Sequence, residues 1–194
     1  MAGPYRASFR PSRVTPKNTA ARRARLEAEL GVAYQEFHAM VAAISEQGWS
    51  ESSRNPAWTN GQLVFHVVLG FILVLPLARL LIVFGHLPRV CGRAFAGLLN
   101  FVTPLFHRIN ALGPQAAARI MGRAGVVRRF ELVHAAVVRR LSKVSDQQWD
   151  LTMPYPTRWD PRFRQDMQLE DLFMYPILHL RHHRGQLRAT SGEP

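Results

Sequence analysis

Between Leu63 and Phe84 the only strongly polar side chains are His66 and Arg79, and this stretch limits the fold more tightly than any other. About 20 apolar residues suffice to cross a bilayer. The segment is therefore either the central helix of a bundle, covered by its own chain or by a second copy, or a helix in or on a membrane. Pro76 is permitted in both settings, and His66 and Arg79 can snorkel from positions near the ends. A span would part His66 from the histidines near the C-terminus, which favours the bundle.

The flanking sequence reads as helical throughout. Thr59 with Gln62 three residues later fits a capping box, so the apolar helix begins there and His66 lies two turns inside. Ahead of it, Leu26, Leu30, Ala33, Phe37, Met40, Val41 and Ile44 recur at helical spacing and predict a helix over 18–47, ended by Gly48. Glycines and prolines from Gly85 to Pro114 predict short helices packed over the bundle. A third long helix is expected over 115–143, with Arg128, Arg129, Arg139 and Arg140 forming a solvated flank. Ser145 with Gln148 repeats the capping spacing before Trp149. The segment from Pro154 to Pro161 cannot be regular structure, because proline lacks a donor and restricts its predecessor. It reads as an ordered loop anchored by Tyr155 and Trp159. A last helix follows over 167–189. With no strand-type alternation and no internal repeat, the fold class is all-α.

A chain of 194 residues, 47% hydrophobic, can bury one substantial core. Residues 1–17 read as a basic, flexible tail and 18–190 as the helical domain. The single cysteine, Cys91, excludes an internal disulfide framework and a cysteine-built zinc site, and a cytoplasmic location is the simplest expectation. Lys and Arg total 25 against 13 acids, a formal charge of +12. Such a field attracts anionic lipid, acidic small molecules or nucleic acid. Nucleic acid is the weakest of these, since no recognition motif interleaves the basic residues with aromatics.

The histidines carry the chemistry. His179 and His183 stand one turn apart on the last helix and share a stripe with Tyr175 and Gln186. Two imidazoles so placed can share one metal ion, and His66 can complete a three-nitrogen site that leaves coordination positions open. Gly70, one turn beyond His66, removes bulk beside it. The plainer reading of each residue is a packed or capped helix histidine. His182 is the less favoured partner, and His38, His86, His107 and His134 have none at ligand spacing. Among Asp150, Asp160, Asp166, Glu170 and Asp171, no spacing selects a catalytic carboxylate. Glu170 and Asp171 suit the helix N-terminus through its dipole.

The Trp58-Thr59-x-x-Gln62 helix start leading to His66, together with His179-x-x-x-His183-x-Gly185-Gln186, resembles the DinB-like superfamily over residues 20–189. The segment from Tyr155 to Phe163, followed by Asp171 to Pro176, resembles an actinobacterial group within it. The resemblance implies a four-helix bundle, here with an extended apolar region around helices two and three. It also implies His66, His179 and His183 as ligands of a divalent metal (zinc, nickel or iron), and thiol-cofactor-dependent chemistry.

Three functions are therefore open. The first is a metal-dependent transferase using a low-molecular-weight thiol such as mycothiol, with Arg181 and Arg184 holding anionic groups of the cofactor. The second is a metal-dependent hydrolase at the same site. The third is a non-catalytic bundle that docks to a membrane or a partner. A small-molecule substrate, a homodimer and contact with a membrane surface are the expected associations.

Overall fold

The computed structural model describes residues 16–188. Five α-helices occupy most of them: α1 (Pro16–Ala42), α2 (Asn60–Gly85), α3 (Arg89–Phe101), α4 (Thr103–Ser142) and α5 (Leu169–Arg184). Helices α1, α2, α4 and α5 form a four-helix bundle in which α1 and α2 each pack on both α4 and α5. The all-α expectation holds, with one small correction. Thr152–Met153 (β1) and Met167–Gln168 (β2) pair antiparallel, Thr152 opposite Gln168. Two residues per strand are too few to alternate visibly in sequence.

Apolar spacing builds the core as read. Leu26, Leu30, Ala33, Phe37, Met40, Val41 and Ile44 are all buried on the inner side of α1 and just beyond it. Phe37 stacks on Phe130 of α4, and Phe71 of α2 meets the same ring edge-on. The helix itself stops at Ala42, short of Gly48. Of the segment read as a tail, residues 1–15 lie outside the described residues, while Pro16 and Lys17 already belong to α1. Arg22 and Arg25 of α1 both pair with Glu170 at the start of α5. Glu170 thus joins two helices rather than serving the helix dipole alone.

Helix α2 is long and apolar enough to cross a membrane by length and composition, and in this fold it is the bundle's central helix. Fourteen of its 26 residues are buried. Thr59 and Gln62 form the capping box reciprocally: Gln62 N–H donates to the Thr59 hydroxyl, and Thr59 N–H to the Gln62 side-chain oxygen.

The middle of the chain departs from expectation. Instead of several short helices and one over 115–143, it forms α3 and α4, whose two helical halves meet at a kink at Gly122. There φ is 62° and ψ −177°, a conformation open almost only to glycine. That one residue leaves helical geometry and joins two helical halves at a kink, inside the stretch expected to be one helix over 115–143. Arg128, Arg129 and Arg139 are exposed and Arg140 half-buried.

The proline-rich loop is ordered through its aromatics, as read. Tyr155 donates to the Leu77 carbonyl at 2.7 Å, and burial raises its hydroxyl pKa beyond the usual phenol range. Trp159 donates to the Leu99 carbonyl at 2.9 Å and stacks on Phe106. Helix α5 then starts behind a box in which Gln168 N–H donates to the Asp171 carboxylate at 2.9 Å. It runs unbroken through Pro176.

Candidate metal centre

His66, two turns into α2, and His179 and His183, one turn apart on α5, converge in the bundle. They are 4%, 5% and 7% exposed. One ring nitrogen from each lies within 4.8 Å of the other two. His66 Nε2 and His183 Nε2 are 3.1 Å apart. The Trp58 ring lies stacked on His66, and the Trp58 indole N–H donates to the Ala111 carbonyl at 3.1 Å.

Electrostatics keep these rings neutral. Burial, reinforced by the neighbouring His183 and His182, pushes the His66 pKa down to about 3. Burial also holds His179 well below its ordinary value, with His66, His183 and Arg162 adding to the effect. For His183 burial lowers the pKa against an opposing hydrogen bond to Gln186. Neutral imidazoles have a free lone pair, which is the form that binds metal.

The tautomer of His183 follows from its partner. Its Nδ1–H donates to the Gln186 side-chain oxygen at 2.9 Å, an oxygen that also accepts from Asn55 at 3.1 Å. That leaves Nε2 as the lone-pair nitrogen facing His66. Among the described residues, His66 Nδ1 has no hydrogen-bond partner, and neither ring nitrogen of His179 makes a well-formed one. Orphaned buried polar atoms are rare and costly. A cation with metal–nitrogen bonds of about 2.1 Å would take one nitrogen from each of the three rings after small ring rotations. The donor set therefore fits a divalent metal.

The three rings line a cavity of about 590 Å³. Leu69, Leu73, Phe106 and Trp159 supply its apolar wall, and Asn55, Asn110, Asp160 and Arg162 its polar groups. Tyr175 closes one side and donates to Asp160 at 3.2 Å. Its hydroxyl pKa is raised by burial and by that carboxylate, so it stays protonated.

His66, His179, His183, Tyr175 and Gln186 come together as the sequence suggested, and Gly70 does lie against the site. His182 sits at its rim, with its Nε2 3.4 Å from Gln186. Arg181 and Arg184 do not line the cavity. Arg181 binds Glu29 and Glu36 of α1, at 2.9 and 3.0 Å, and Arg184 lies 3.9 Å from Glu36. The arginine of the cavity is Arg162, and its carboxylate is Asp160. Sequence reasoning missed the first and could not select the second. The available signal was the anchored proline-rich loop, which fixes whatever follows it beside α5.

Fold and site together define a helical bundle with a buried three-histidine centre at the wall of a cavity. The chain belongs to the DinB superfamily, whose family model matches residues 29–187. Searches of curated proteins and of solved structures returned no match.

Proposed function

We propose that the protein binds one divalent metal ion through His66, His179 and His183 and is a metal-dependent transferase acting with a low-molecular-weight thiol. The observation that carries this reading is the convergence of three buried, neutral imidazoles on a cavity large enough for small molecules. An ion held there would supply Lewis acidity toward a thiol or water. The chain's own residues do the rest. Arg162 supplies the positive charge for a carboxylate or other anionic group of the thiol or substrate. Trp58, Phe106 and Trp159 exclude water and seat apolar parts. The Tyr175 hydroxyl donates to Asp160 and orients its carboxylate in the cavity.

Asp160 also supports the rival reading of a hydrolase, because a carboxylate beside the three histidines can take a proton from an attacking water. A requirement for added thiol separates the two.

The first test is metal content of the purified chain by inductively coupled plasma mass spectrometry, beside a His66→Ala/His183→Ala variant. The expected result is one ion per wild-type chain and none in the variant. Absence of metal from both after reconstitution with zinc, nickel or iron would remove the enzyme reading. Substrate screening with and without thiol follows from a positive result.

A further inference from the structure

Helix α3 and the first half of α4 carry an apolar surface that the bundle does not use. Along α3, Val90, Ala94, Gly97, Leu98 and Phe101 are exposed, and their spacing puts them on one side of the helix. The opposite side packs inward through the buried Gly92 and Ala96. Along α4, Leu105, Ile109, Leu112, Ala116 and Ile120 repeat at helical spacing and are exposed too. Phe101 is 82% exposed and Ile120 84%. Helices of a bundle ordinarily turn such a stripe toward the core. Two successive helices turning one outward mark an interaction surface.

Charge says what covers it. Residues 52–130 hold nine arginines and not one aspartate or glutamate. Arg79, Arg93, Arg108 and Arg119 are exposed, while Arg89 pairs with Asp166 from the loop. A second copy would bring the same positive field against itself. An anionic phospholipid surface offers acyl chains for the stripes and phosphates for the arginines. With 13 residues, α3 is far short of the roughly 20 needed to span. It suits a helix lying in the plane of the interface.

We propose that α3 and the first half of α4 dock the protein on anionic membrane surfaces. The inference is independent of the metal. Since Phe106 and Asn110 of α4 line the cavity, a docked bundle keeps the wall of its site next to the lipid.

The test is flotation of the full-length chain with vesicles of phosphatidylcholine alone or mixed equally with phosphatidylglycerol. Binding to the mixed vesicles should exceed binding to phosphatidylcholine by about tenfold or more and should weaken as salt is raised. Leu98→Asp/Phe101→Asp should lower binding about tenfold or more. Arg93→Gln/Arg108→Gln should also lower it, about fivefold per charge. All four positions are exposed, so circular dichroism should be unchanged. The proposal is overturned by no binding to mixed vesicles, by equal binding to both compositions, or by variants that bind like wild type. It is overturned equally by a wild-type dimer that Phe101→Asp converts to monomer in sedimentation velocity, which would make the occupant a second copy.

Discussion

Gly70 of α2 and His179 of α5 are in direct opposition: a Cβ at position 70 would stand 2.9 Å from Cδ2 of the imidazole. His179 is itself held between His66 and Tyr175, so its ring has little freedom to retreat. Gly70→Ala is expected to push His179 out of register and weaken metal binding by about tenfold or more. Alanine is the better helix former, so α2 should keep its structure. Metal titration with circular dichroism on the same samples checks both halves; unaltered affinity would show that the close approach has no bearing on the site.

Gln186 fixes which nitrogen of His183 carries the proton. Gln186→Leu removes the acceptor of the Nδ1–H and frees the ring to take the other tautomer. Metal affinity should fall about 10–100-fold with little change in unfolding. Gln186→Glu, which keeps an acceptor, should restore most of it. Isothermal titration with zinc reads this directly.

The buried imidazoles make the metal-free protein acid-sensitive. His66 ionises near 6.5 when unfolded and about 3 when folded, so between those values the unfolded chain binds more protons. Its contribution leaves stability intact above about pH 6.5 and erodes it as pH falls toward 3. His179 and His183 shift in the same direction. Urea unfolding of metal-free protein should show a midpoint that drops steadily below pH 6.5, and His66→Leu should flatten the slope.

Arg181 and Arg162 should separate stability from recognition. Arg181→Ala cuts the ion pairs that tie α5 to Glu29 and Glu36. These are partly exposed, so the loss is expected to be about 1 kcal/mol, with KM unchanged. Arg162→Ala removes the arginine of the cavity and should raise KM for an anionic substrate about tenfold without a comparable change in unfolding. A KM effect from Arg181 instead would return the binding role to the helix where the sequence first placed it.

What could be read in advance follows from how local each signal is. The Thr59–Gln62 box, the α1 core positions and the His179–His183 stripe depend on neighbours within a turn or two, and each stands as expected. Pairing His66 with α5 needed tertiary information and rested on a family resemblance. The bend at Gly122 was invisible because a lone glycine inside a helical pattern reads the same whether the helix passes through it or kinks there. Arg181 looked available because its partners lie about 145–152 residues away on α1. Asp160 and Arg162 gain meaning only once Tyr155 and Trp159 pin the loop against α2 and α3.

The bend at Gly122 also divides labour along one helix. After it, Val126, Phe130, Val133, Val137 and Leu141 belong to the core that braces α1 and α2. Before it, Phe106 and Asn110 face the cavity, and the Ala111 carbonyl accepts from the Trp58 indole that stacks on His66. Substitutions at Phe106 and Asn110 can therefore reshape what the cavity admits while the trailing half keeps bracing the bundle. A lineage built on this kink can alter the wall of its cavity and leave its three imidazoles where they are.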